Sequence, residues 1–415
     1  MRLLFFSPYY GTLGGVRLII DALARGARAA GHEVAAVVDG DALGFPGPAR
    51  AIRCYPFPPR PLDLRRLRRF ARKFPLAMAR MVTATRRLAP DVVSVHCARR
   101  YAPYAAALQR LTGVPQVLSL QEGAMPVGVP EHPVLFRMLV RAAAAVAACS
   151  AEAAAYAARV GGVHRSIVVP NGYDPTEFAN HARFARPRPY VLGVGRLAPE
   201  KGFDVLVEAF ARLERTDHDL LLAGDGSARP ALEELACTRR VAERVRFLGT
   251  TDRPTTVALL RSAAVVACPF RVEGLPLVCV EALAAGSPVV ASAINGIPEI
   301  VRDGETGLLV PPDDPAALAA ALARVLHDPA DALRLAARGQ ASVEHEYSWP
   351  MIVPRYLALC RAVAAGDPSG APCSPCCLRS GPSAGIPAEA NYTRSPGSKS
   401  FLYSWSAKRS VMPAT

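Results

Sequence analysis

Short apolar runs and longer amphipathic stretches alternate along most of this chain. In the first half, runs at Arg2–Ser7, Glu33–Val38, Asp91–Val95, Gln116–Leu120, Val146–Cys149 and Ile167–Val169 predict strands. They are continuously apolar rather than alternating, the pattern of parallel strands covered on both faces. Helical spacing marks Val16–Ala30, Leu64–Arg87, Ala102–Thr112 and Ala151–Val160, with Pro75 predicting a break in the second. Leu139–Ala148 reads as a helix running into a strand. A polar, proline-rich link from Asn171 to Pro189 follows.

The alternation then resumes. Strands are predicted at Tyr190–Val194, Leu220–Ala223, Val245–Leu248, Val265–Ala267, Val289–Ala291 and Leu308–Val310. Helices between them fit Phe203–Leu213, Pro230–Ala236, Thr255–Ser262, Leu277–Ala285, Pro315–Leu326 and Ala330–His345. The pattern predicts two doubly wound α/β domains in series, residues 1–180 and 181–350, followed by a helix at 351–365. Such pairs bind ligand in the cleft between them, at the carboxyl ends of the strands. From residue 366 the chain turns rich in Ser, Pro, Gly and Cys without periodicity, and 366–415 is expected to be a disordered, dispensable tail.

No run approaches the roughly 20 apolar residues of a spanning helix. The amino terminus reads as a first strand rather than a signal peptide, and the expected location is the cytoplasm. Most of the ten cysteines sit in apolar runs, as small core residues of a reducing compartment. Cys373, Cys376 and Cys377 lack a nearby histidine and make a poor zinc site. The net charge of +14 admits phosphorylated ligands, anionic lipid or nucleic acid, but no nucleic-acid module is recognisable. Residues 64–74 place Leu64, Leu67, Ala71 and Phe74 on one helical face among Arg65, Arg66, Arg68, Arg69, Arg72 and Lys73. Such a helix either lies on an anionic membrane surface or packs its apolar stripe on the domain.

Candidate chemistry gathers at strand ends. After the strand at 265–267, the chain breaks at Pro269 and Gly274 and restarts as a helix at Pro276, a residue suited to a first turn. Glu273 therefore precedes the helix start and Glu281 lies within the helix. Free N–H groups between the two acids form an anion site. Gly274, Leu275, Pro276 and Leu277 line that start, which suits a sugar nucleotide; in isolation the two glutamates could equally be solvated. Gly193-Val194-Gly195-Arg196 and Lys201-Gly202 bridge a strand and a helix, where Arg196 and Lys201 can pair with a diphosphate. All but four of the 49 basic residues are arginine, so the lysine at 201 suggests a compact phosphate contact. Gly11 to Val16, with Gly14 and Gly15, forms either a ligand-facing loop or a plain turn. His96 and Gln121-Glu122-Gly123 end first-half strands and are expected at the cleft edge. Asp39-x-Asp41 mimics a metal pair, but it lies in a first-domain loop away from this region, and no obligatory metal or other cofactor is expected.

These segments resemble, in order, those of the retaining GT-B glycosyltransferases of family 4. The resemblance runs through Gly14-Gly15-Val16, Pro170-Asn171-Gly172, Gly195-Arg196-Leu197, Glu200-Lys201-Gly202, Ala223-Gly224-Asp225-Gly226, Glu273 to Glu281 and Gly296-Ile297-Pro298-Glu299, and covers about residues 1–360. It implies two Rossmann-like domains facing across a cleft. Arg196 and Lys201 would hold the donor diphosphate, Glu273 the transferred sugar, and Glu281 the ribose. Gly14 and Gly15 would form the acceptor-side loop, and His96 and Gln121, from their places at strand ends, are expected on the same side. It also implies that the helix near 349–362 returns to the first domain. Many members carry a histidine where this chain has Gln121, which can donate a hydrogen bond but cannot take a positive charge. The expected activity is retaining transfer of a hexosyl group from a nucleotide diphosphate sugar to a carbohydrate or lipid-linked acceptor, in cell-surface polysaccharide or glycolipid synthesis. A sugar-nucleotide epimerase and a catalytically silent partner of a transferase are the alternatives. A nicotinamide dehydrogenase is disfavoured, because neither glycine-rich turn completes G-x-G-x-x-G.

Overall fold

The computed structural model describes residues 1–10, 14–40, 42, 44–58, 63–121, 133–162, 166–179, 184–213 and 217–367, with the backbone of two short strands beyond. The first half runs β1 (Arg2–Ser7), α1 (Gly15–Ala29), β2 (Glu33–Val38), β3 (Ala49–Ala51), α2 (Leu64–Leu88), β4 (Val92–Val95), α3 (Ala102–Thr112), β5 (Gln116–Leu120), α4 (Pro133–Ala142), β6 (Ala145–Ala148), α5 (Ala151–Gly161), β7 (Ser166–Val168) and α6 (Pro175–Ala179). The second runs β8 (Tyr190–Val194), α7 (Phe203–Ala211), β9 (Asp219–Ala223), α8 (Arg229–Thr238), β10 (Val245–Gly249), α9 (Arg253–Ser262), β11 (Val265–Cys268), α10 (Leu277–Ala284), β12 (Val289–Ser292), α11 (Ile297–Ile300), β13 (Leu308–Val310), α12 (Pro315–His327), α13 (Pro329–Glu344) and α14 (Trp349–Ala364). Beyond them, β14 (Thr393–Arg394) pairs antiparallel with β15 (Tyr403–Ser404); the rest of the expected tail after residue 367, with its cysteines, lies outside the described residues, as do Asp41 and Glu122-Gly123.

The first sheet has the order β3-β2-β1-β4-β5-β6-β7 and the second β10-β9-β8-β11-β12-β13, every pairing parallel. In β1, Leu3 and Phe5 point to a cluster with α1 and α14, while Leu4 and Phe6 point to one with α2 and α3. Both faces are covered, which is why the strand is an unbroken apolar run. In each sheet the chain winds outward in opposite directions from two central neighbours, β1 and β4 in the first, β8 and β11 in the second. The carboxyl ends of those pairs are the sites where open α/β sheets place ligands.

Three local readings change. The helix α2 runs through Pro75 without a break. Its buried face (Phe70, Ala77, Met78, Met81, Thr85) supplies the reason: a proline in a helix interior costs about 3 kcal/mol, and burying each large apolar side chain returns about 1.5–3. The strand β3 was not predicted, since Ala49-Arg50-Ala51 carries no apolar run and sits half exposed on an edge. The link from Asn171 to Pro189 contains the short helix α6, whose Phe178 is buried against Tyr173.

Candidate active site

Two loops of the second sheet meet at its switch point. The chain after β8 passes Gly195, which takes φ 147°, and enters a single 3₁₀ turn at Pro199–Lys201. Gly202 follows at φ 64°, where a Cβ would strike the Pro269 carbonyl oxygen, so only glycine lets the two loops come this close. The chain after β11 carries Phe270, Arg271 and Glu273. Lys201 Nζ forms an ion pair with Glu273 Oε1 and lies 4.7 Å over the Phe270 ring centroid. Both partners are mostly enclosed, with side-chain exposures of 19% and 21%. Burial first, then the charge of Arg196, drives the Lys201 ammonium down to about 8, while the nearby Glu200 carboxylate opposes that loss of charge. Arg196 itself is exposed and bonded to Glu200 at 2.6 Å, its backbone beside the same turn.

The Glu273 loop is held from several sides. Arg271 donates to both carboxylate oxygens of Asp204, at 2.8 and 2.7 Å, and to the Pro199 carbonyl at 2.6 Å. Asn295 donates its amide to the Glu273 carbonyl at 2.6 Å. Asn171, in the link between the sheets, donates to the Leu275 carbonyl at 2.8 Å. Pro276 caps α10, whose first N–H groups follow directly. Asn171 belongs to the Pro170-Asn171-Gly172 segment, whereas Arg271 and Asn295 carry no chemical signal of their own; all three fix the loop's backbone.

Glu281 lies in α10 and is buried, with 5% exposure. Burial pushes its carboxyl up, and Arg253 opposes this through a 2.7 Å ion pair. The acid is therefore not a solvated glutamate.

The first domain closes directly on this assembly. A Cβ at Gly15 would lie 3.2 Å from Leu277, and one at Gly274 would lie 2.3 Å from the Gln121 carbonyl oxygen and 3.0 Å from Cys149 Sγ. Gln121 thus ends β5 against the Glu273–Gly274 loop, its own amide donating to Ser119 at 3.0 Å. Gly14 caps α1 at the same edge. From the second domain, Glu299 accepts from the Ala151 and Glu152 N–H groups at 2.9 and 3.0 Å, capping α5 of the first. The helix α14 packs on α1 and on β4, β5 and β6.

His96 does not reach the cleft edge. It ends β4 but is only 1% exposed, stacked on Phe5 at 5.8 Å. Its Nε2 shares a 2.7 Å hydrogen bond with Ser94, whose hydroxyl meets Tyr356 of α14 at 2.6 Å. The returning helix seals it, and burial drives the ring down to about 3, so it is neutral. Asp39 is likewise structural, accepting from the Cys54 N–H at 3.0 Å. Among the described residues, no group of three or more His, Cys, Asp or Glu side chains could hold a metal.

Two family models match the chain in succession: Glycosyltransferase Family 4 over residues 13–177 and Glycosyl transferases group 1 over residues 175–342. A glycogen synthase of Mycobacterium tuberculosis is 36% identical over 209 residues, 50% of this chain and 50% of the relative. The phosphatidyl-myo-inositol mannosyltransferase of the same organism is 36% identical over 210 residues, 48% of this chain and 54% of the relative. The matches span about half the length of these curated relatives. Among solved structures, sucrose-phosphate synthase from Thermosynechococcus elongatus superposes with a TM-score of 0.75 at 23% identity, covering 88% of this chain and 100% of that one. HepE of Anabaena, solved with UDP, gives 0.69 at 20% identity over 86% of this chain and 98% of that one. At these identities the structural likeness is one of fold. With two parallel sheets whose switch-point loops meet and matched family models from residue 13 to residue 342, the chain belongs to the family 4 glycosyltransferases of the GT-B fold.

Proposed function

We propose that this glycosyltransferase moves a hexosyl group from a nucleotide diphosphate sugar to an acceptor hydroxyl, with retention at the anomeric carbon. The observation that carries the reading is the meeting of Lys201 and Glu273, from the loops after β8 and β11, beside the N-terminus of α10. The reaction must stabilise a departing diphosphate and a cation-like sugar. Lys201, Arg196 and the α10 N–H groups, bordered by Gly195, Gly274, Leu275, Pro276 and Leu277, answer the first need without an obligatory metal. Glu273 answers the second by placing a carboxylate next to the sugar. Glu281 receives the ribose. Gly14, Gly15 and Gln121 form the acceptor wall, and the donor phosphate takes the acceptor proton.

Relatives named as glycogen synthase and phosphatidyl-myo-inositol mannosyltransferase support a carbohydrate or lipid-linked acceptor; the same proposal places the enzyme in cell-surface polysaccharide or glycolipid synthesis. The basic helix start at residues 64–74 supports work at the anionic inner face of a membrane. There Phe70 and Phe74 pack on Phe57 and Tyr104, while Leu64 stays 60% exposed among arginines. Among the described residues, no helix is long and apolar enough to cross a membrane. A thermal-shift screen of UDP-, GDP- and ADP-sugars tests the reading. A donor at 100 times its dissociation constant stabilises by about 2.7 kcal/mol. Failure of every sugar nucleotide to bind, with no nucleoside diphosphate released in the presence of acceptors, overturns it.

A further inference from the structure

Glu281 is held by a residue outside every recognised motif. Arg253, at the first turn of α9, places Nη1 2.7 Å from Glu281 Oε1. Its Nε and Nη2 both lie 2.7 Å from Glu177 Oε2, on the link helix α6. The guanidinium also sits 5.7 Å from the ring centroid of Phe178. Phe178 is itself fixed edge-on to Tyr173 at 5.6 Å, and Arg261 donates to its carbonyl. The fork therefore has one arm on the link and one on α10. Two carboxylates engage its edges and an aromatic ring lies close by, and a lysine cannot reproduce that geometry.

An isolated carboxylate as enclosed as Glu281 would take up a proton rather than stay charged. A protonated carboxyl loses half of its accepting character, whereas the adjacent 2′- and 3′-hydroxyls of a ribose present two O–H donors. A cation paired to Oε1 keeps the acid ionised, fixes its rotamer and leaves the second oxygen to accept from a ligand. Resting on the reading of Glu281 as the ribose acid, we propose that Arg253 is a positioning residue that makes the donor site select ribonucleotides, with Glu177 holding it in place from the link between the domains.

The test compares calorimetric affinities of UDP, GDP and ADP, and of the 2′,3′-dideoxy form of whichever binds tightest, across four proteins. The wild type is expected to favour the ribonucleotide at least about tenfold. Glu281→Gln reduces that ratio to near one, because it removes the anionic acceptor. Arg253→Met also reduces it to near one while leaving the dideoxynucleotide affinity within about twofold, since diphosphate contacts are untouched. Arg253→Lys, which keeps a cation but not the fork, gives a ratio between the two. The dideoxynucleotide serves as the internal measure of an intact site, which a purely structural role would not spare. If Arg253→Met weakens both nucleotides equally, or keeps the wild-type ratio while Glu281→Gln loses it, Arg253 does not position the acid. If Glu281→Gln itself keeps the ratio, Glu281 is not the ribose acid, and the role of Arg253 falls with it.

Discussion

Replacing Gly274 by alanine tests whether the two domains must meet as they do here. Gly274 does not occupy the left-handed region, so an alanine there is not strained by its own backbone. The obstacle is contact. The new Cβ would sit 2.3 Å from the Gln121 carbonyl oxygen and 3.0 Å from Cys149 Sγ. Ordinary packing needs roughly 3.4 Å or more, so the loop and the end of β5 must separate by roughly 1 Å. Backbone lies on both sides of the contact, and a side-chain rotation cannot relieve it. The separation falls between the Glu273 loop and Gln121 at the end of β5, while Lys201 and Arg196 stay in their own domain. A misplacement of about 1 Å at reacting groups costs about 10²-fold in rate. The expected outcome is therefore kcat reduced about 100-fold, with the dissociation constant for the nucleoside diphosphate changed by less than about threefold and the melting temperature nearly kept. Initial rates of sugar transfer, with calorimetric titration of the nucleotide, measure both. A variant with kcat within twofold of wild type would refute the requirement for this contact.

Two other outcomes can be checked directly. His96 is driven from 6.5 to about 3 by burial beside Phe5, Ser94 and Tyr356. The unfolded chain then binds a proton that the native chain refuses, so stability is full above pH 6.5 and falls by about 1.4 kcal/mol per unit as pH drops toward 3. Urea midpoints of wild type and His96→Asn measured from pH 7 to pH 4 should diverge in slope, and parallel slopes would contradict the neutral buried ring. At the membrane, cosedimentation should need anionic lipid and weaken with salt. Each lost cation near the surface removes about 1 kcal/mol, so conversion of Arg65, Arg66, Arg68 and Arg69 to glutamine should release the protein; equal recovery of both proteins would leave an enzyme with a basic surface helix.

The sheets were legible because their signal is local. Every strand of the second sheet could be placed within a residue or two, since Val191, Leu220 and Val265 sit in unbroken apolar runs that only a doubly covered strand requires. The loops after β8 and β11 could be read for the same reason: glycines, prolines and charged residues cluster where a strand ends. Other features depended on contacts between distant parts of the chain. His96 ends a strand as predicted, but the residue that completes its network, Tyr356, lies 262 positions beyond Ser94. Arg253 reads as an ordinary helix-start arginine beside Asp252 and Pro254 until α6 and α10 are folded against it. Pro75 follows the same logic in reverse, a local stop signal overruled by the packing of Met78 and Met81.

The central claim is that Lys201 holds the diphosphate of a donor whose sugar lies against Glu273. Calorimetric titration of a nucleotide sugar and its parent nucleoside diphosphate into wild type, Lys201→Ala and Glu273→Gln separates the two roles. Lys201→Ala should weaken both ligands by at least about tenfold, the loss expected for a charge-assisted phosphate contact of about 1.5–3 kcal/mol. Glu273→Gln should leave the diphosphate affinity near wild type, abolish transfer and remove the extra affinity the sugar confers. If both ligands bind Lys201→Ala as they bind wild type, or if Glu273→Gln transfers sugar at the wild-type rate, the donor does not lie where this account puts it.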